Sequence, residues 1–140
     1  MKYSTLVLFI SIIILGTACR PSAKELNEKQ REEIISVHDE VMPLMGKVKS
    51  LEKLAISQID SLVEISSSDT IMTRNLKSLA YDLNQAYEGM FVWMRQYETE
   101  DGEMTDEEIQ EYLDDQLIKV TSVNEDIKTV LEKAEDLLKD

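Results

Sequence analysis

His38, Met42 and Met45 fall four and then three residues apart in the run His38-Asp39-Glu40-Val41-Met42-Pro43-Leu44-Met45-Gly46. That spacing sets an imidazole and two thioethers on one face of a helix. Further along, Met90-Phe91-Val92-Trp93-Met94 holds the chain's only tryptophan, and Met90, Trp93 and Met94 share a face in the same way. Imidazole nitrogen with thioether sulfur suits Cu(I) or Ag(I), and an indole face beside the metal adds cation–π attraction. In that reading His38, Met42, Met45, Met90 and Met94 are the ligand pool and Trp93 is the lid. Core filling competes with it, because methionine is flexible, polarizable and favourable against aromatic edges. A third reading makes this region a contact surface for a partner protein or lipid, with Trp93, Tyr97 and Tyr112 as anchors. Haem held by His38 and one methionine is a poorer fit, since no run of small residues offers it a cavity.

Three segments with helical periodicity must position these residues, and nothing shows the strict alternation of a strand. The first runs from about Lys24 to Ile65, with Ile34, His38, Val41, Met45, Val48, Glu52, Ala55, Ile59 and Leu62 as its stripe. Glu52 is the polar intruder. Ser66-Ser67-Ser68-Asp69 supplies turn and N-cap chemistry. The second segment runs from about Thr70 to Glu98, with Leu76, Leu79, Leu83, Ala86, Met90, Trp93 and Tyr97 stepping by three and four. Thr99 to Met104 reads as a loop, and Thr105-Asp106-Glu107-Glu108 as a capping box opening the third helix. That helix carries Ile109, Leu113, Gln116, Val120, Val123, Ile127, Val130, Ala134 and Leu137 to about Leu138. Short connections reverse the chain, so the expectation is an all-α, up-down-up antiparallel three-helix bundle with long helices. At ~1.5 Å per residue its helices are roughly 45–60 Å long. Self-association of the helices as a coiled coil between chains is the alternative.

Antiparallel register across the 66–69 turn pairs residues whose numbers sum to about 135. Met45 then lies level with Met90, Met42 with Trp93, and His38 with Tyr97, and the second loop adds Met104 and Tyr112 to the same end. Pro43 has no N–H to give the Asp39 carbonyl, so helix 1 is expected to kink or split near Met42. The bend either wraps the helix around its neighbours or opens the His–Met–Trp cluster to a ligand.

The beginning of the chain reads as an address. Met1-Lys2-Tyr3 precedes an apolar run from Leu6 to Leu15, then Gly16-Thr17-Ala18-Cys19. This is the layout of a secretory signal peptide, and its apolar run falls short of the ~20 residues of a membrane span. Small residues ending in the only cysteine resemble a bacterial lipobox, with Gly16 where leucine is usual. Cys19 is then the lipidated first residue of the mature protein. A plain secreted protein with an unused thiol is the alternative. The domain reading is a lipoprotein signal peptide at 1–18, a lipidated tether at 19–26 and the bundle at 27–140. Cleavage removes only Lys2 among the charged residues, leaving a chain more acidic still than the net −13 of the whole. Such a surface repels nucleic acid and anionic headgroups. The tether lacks an acidic run, which by resemblance to Bacteroidota lipoproteins favours a periplasm-facing position in the cell envelope.

The string HDEVMPLMG, followed by the WM of Trp93-Met94 and behind a lipoprotein signal, resembles a family of small Bacteroidota lipoproteins often labelled viral A-type inclusion protein. The family pattern has lysine where Leu44 stands. The resemblance covers essentially the whole chain and brings no activity with it; the partners expected are the membrane, through lipidated Cys19, and, on the contact-surface reading, an envelope protein.

Residues 98–115 are rich in acids and contain no base. Asp101, Gly102 and Glu108 fall at the fifth, sixth and twelfth places of a calcium loop, but Tyr97 and Thr99 occupy places that need carboxylates. Acids at the start of helix 3 complement its dipole, which is the simpler reading. One histidine excludes the common two-histidine metal motifs, and no phosphate loop or serine nucleophile motif is present. Paired carboxylates lie on solvated faces with nothing to split their pKa values. The sequence therefore points to a binding or structural module without cofactor, and away from an enzyme.

Overall fold

Ser22 opens the first helix with a complete capping box. Its hydroxyl accepts the Glu25 N–H at 3.2 Å, and the Glu25 carboxylate accepts the Ser22 N–H at 2.7 Å. In the computed structural model, which describes residues 21–64 and 70–139, this box starts α1 (Ala23–Val41). One turn of 3-10 helix, Met42–Leu44, leads into α2 (Met45–Glu64), followed by α3 (Thr70–Gln96) and α4 (Asp106–Leu137). Thr105 caps α4 as expected, its hydroxyl accepting the Glu108 N–H at 3.3 Å while Glu108 accepts the Thr105 N–H at 2.8 Å. Gly102, at φ 58°, takes the left-handed turn in the loop before it.

All regular structure among the described residues is helical, and the three helical arms pack antiparallel, with α1 and α2 forming one arm bent at Pro43. The helix begins at Ala23, so residues 23–26, expected in the tether, are the first turn of the bundle. The serine at position 22 with glutamate three residues on was the available signal. Cys19, the signal peptide and the Ser66–Asp69 turn lie outside the described residues.

The apolar stripes meet in one core. Ile34, Val41, Val48 and Ala55 come from the first arm, Leu76, Leu79, Leu83 and Met90 from α3, and Leu113, Val120, Ile127 and Ala134 from α4. Glu52, the polar intruder, is half-buried and ion-paired with Lys49, whose ammonium lies 4.8 Å over the Tyr87 ring. No described helix is long and apolar enough to cross a membrane.

The bend has a consequence for packing. Below it α1 lies along α4, and above it α2 lies along α3. Proline denies the α-helical bond to Asp39, so the Met45 N–H bonds the Met42 carbonyl in 3-10 fashion. The first arm thus changes partner at Met42–Leu44. Buried asparagines hold the lower half in place: Asn27 donates to the Asp106 carbonyl at 3.2 Å, and Asn124 to the Val37 carbonyl at 2.8 Å and to Glu40 at 3.1 Å. A polar side chain matched to one partner in an otherwise apolar seam sets its register.

Candidate functional site

Because α1 leans toward α4, large side chains fill the space between α1 and α3. Trp93 is the central one. Its indole N–H donates to Gln116 Oε1 at 3.1 Å inside the core, and its ring neighbours those of His38 (5.6 Å between centroids, tilted) and Tyr97 (5.0 Å, interplanar 27°). Tyr112 continues the series at 6.3 Å from Tyr97. The Tyr112 hydroxyl accepts the Glu98 N–H at 2.6 Å, and burial pushes this phenol's pKa up from its ordinary value. Arg31 closes the end of the series. Its guanidinium donates to the Tyr97 hydroxyl at 3.3 Å and to the Glu98 carbonyl at 3.1 Å, and it pairs with Asp101.

His38 presents two different nitrogens. Nδ1 lies 2.8 Å from Asp39 Oδ1, while Nε2 is buried without a hydrogen-bond partner. The side chain as a whole is 15% exposed. Leaving such an acceptor empty costs ~1–3 kcal/mol.

The sequence-predicted residues divide into three environments. Met45 and Met90 are buried core residues, and Trp93 joins them. His38 and Met42 are half-buried, and Met42 packs against the core. Met94 is 39% exposed. Met104 and Tyr112 also pack on the core as partly buried residues.

The register expectation holds above the bend, where Lys49 covers Tyr87. Below it His38 meets Trp93, where Tyr97 was expected. Counting residues through a turn assumes two helices sharing one axis, and helix 1 leaves α3 at Pro43. Arg31, Gln116 and Asn124 carry the polar contacts of this region and were not singled out as site residues. Arg31 lies seven residues before His38 on the same face, which was its only signal.

The calcium-loop resemblance dissolves into local contacts. Asp101 is taken by Arg31, and Glu108 by the Thr105 cap, which holds its carboxyl below the usual range.

On the side away from α1 and α2, an open groove runs between α3 and α4. It is lined by Asp82, Gln85, Ala86 and Gly89 from α3 and by Val123, Asp126, Thr129 and Lys133 from α4. It continues past Val92 and Gln96 opposite Lys119 and Ser122. Val92 stands 42% exposed there, and Ile118, one turn before Ser122, is 71% exposed.

Comparison with family models, with curated proteins and with solved structures finds no match to this chain.

Proposed function

We propose that this protein is a lipid-anchored lipoprotein of the cell envelope, facing the periplasm, whose bundle serves as a structural or partner-binding module and not as a catalyst. The anchoring half of the reading rests on the apolar run and the small residues leading to Cys19. Two or more acyl chains there would tether the protein stably, where one would be marginal. The binding half rests on the α3–α4 groove, with Val92 exposed in it and Ile118 exposed on α4 one turn before the lining residue Ser122. At 71% exposure Ile118 leaves most of its aliphatic surface available to another chain. The acidic surface suits a protein partner better than nucleic acid.

Two measurements test the two halves. Metabolic labelling with an alkyne fatty acid should mark the wild-type protein and miss Cys19→Ala, which should move from the membrane to the soluble fraction. A Cys19→Ala protein that stays in the membrane fraction overturns the anchor. A photo-cross-linker at position 118 should trap a discrete adduct that the same group at exposed Lys53 does not. Identical patterns from the two positions overturn the binding face.

A further inference from the structure

His38 is the one imidazole in the chain, and its surroundings give its two nitrogens separate tasks. The Asp39 carboxylate, 2.8 Å from Nδ1, takes the Nδ1–H and fixes the ring tautomer. The lone pair of Nε2 then points into the protein, where it is buried and has no donor. A carboxylate behind one nitrogen and an open lone pair on the other is how proteins orient a metal-binding histidine.

Met42 is the next residue along this face of the first arm. Its N–H bonds the His38 carbonyl, so it lies one α-helical turn further along, at the point where the 3-10 turn begins. Met94 adjoins Trp93 on α3, so the contact that sets the Trp93 ring against His38 brings Met94 to the same level of the bundle. Met94 is 39% exposed, and the His38 and Trp93 rings are 5.6 Å apart. Three rotatable bonds let each thioether swing toward a common point.

We propose that His38 Nε2 and the thioethers of Met42 and Met94 bind a soft monovalent cation, Cu(I) or Ag(I), under the face of Trp93. One nitrogen and two sulfurs match the preference of these ions, and the indole face adds cation–π attraction. A borderline or hard cation has no comparable ligand set, since no three His, Cys, Asp or Glu residues gather among the described residues. Met45 and Met90 belong to the core and are outside the ligand set. Partial exposure of Met94 supplies the entry path.

The test is an anaerobic titration of the full chain, in a Cys19→Ser background that removes its one thiol, with Ag(I) and with Cu(I) buffered by a chromogenic chelator. Trp93 is the only tryptophan, so its fluorescence reports directly on the site. Fluorescence should change saturably at one equivalent, and Zn(II) should leave it unaltered. His38→Gln and the double variant Met42→Leu/Met94→Leu should each weaken binding at least tenfold. Met45→Leu/Met90→Leu should bind as the parent does. Leucine keeps the volume of methionine, and thermal melts confirm that each variant is folded. Absence of a saturable change, or parental affinity in folded Met42→Leu/Met94→Leu, overturns the proposal. Neither outcome bears on lipidation or on the α3–α4 groove.

Discussion

Trp93 is held by a hydrogen bond at its edge and by the neighbouring rings of His38 and Tyr97, which makes it more than a space-filler. Its N–H bond to Gln116 is buried, and Gln116 itself is only 4% exposed. Trp93→Phe keeps an aromatic ring but strands the Gln116 carbonyl oxygen without a donor. That should cost ~1–3 kcal/mol from the lost bond, read as a lower urea midpoint, with further loss from the smaller ring. Adding Gln116→Leu removes the stranded group and should restore part of the loss, because deleting both partners of a buried bond is cheaper than deleting one. If the double variant is as unstable as the sum of the two single ones, the bond is not the source of the cost. Gln116 was visible in the sequence as a polar residue in an apolar stripe. Its partner was not, because a stripe gives the side of a helix a residue faces and not the atom across from it.

At the scale of the elements, Pro43 and Gly46 divide the work of the bend unequally. Pro43 imposes the 3-10 turn by withholding a donor. Gly46 lies within α2, is exposed, and a Cβ added to it would meet nothing within 4 Å. Gly46→Ala should therefore stabilise the protein by ~0.5–1 kcal/mol, through the greater chain freedom glycine loses on folding. Chemical denaturation measures this, and a destabilised variant would mean that the bend needs glycine as well as proline. The Thr105 cap predicts the opposite sign. Thr105→Ala leaves the Glu108 N–H of α4 without its side-chain acceptor and should cost ~1 kcal/mol. Calorimetry reads that loss as a lower Tm.

Over the whole molecule, an acidic chain is stitched by ion pairs between arms. Lys128 holds Glu40 at 2.7 Å, Lys133 holds Asp82 at 2.5 Å, and Lys47 pairs with Glu135. Hydrogen bonds from Lys128 and Asn124 keep the Glu40 carboxyl below its ordinary value of 4.5, and Lys47 does the same for Glu135. A carboxyl whose pKa is lower in the folded protein stabilises it above the unfolded value. That contribution disappears as pH falls through the folded value. Glu40→Gln should accordingly lower Tm at pH 7, and the gap from wild type should close as pH is taken below about 4. Thermal melts of both proteins from pH 7 to 3 decide it, and a gap that stays constant would show that the carboxylate charge is not what matters. The effect will be small, since exposed pairs are screened by water and salt.

Helix number, the antiparallel order and both described N-terminal caps are properties of local sequence. A 3.6-residue stripe, a Ser-x-x-Glu or Thr-x-x-Glu box and a short polar loop each act within a few residues, so they can be read without knowing what lies across the core. Pro43 announced the bend for the same reason. Where the bend sends each half of helix 1 is a different matter. Val41, Met42 and Met45 all lie on its apolar side, yet Met42 remains half-buried while Val41 and Met45 are enclosed. That difference depends on α1 seating against α4 and α2 against α3, and on Trp93 filling the gap between α1 and α3. The chain specified a cluster of His, Met and Trp. Only tertiary packing separated its core methionines from a histidine nitrogen left open, because burial is decided by the neighbouring helices and periodicity describes one helix at a time.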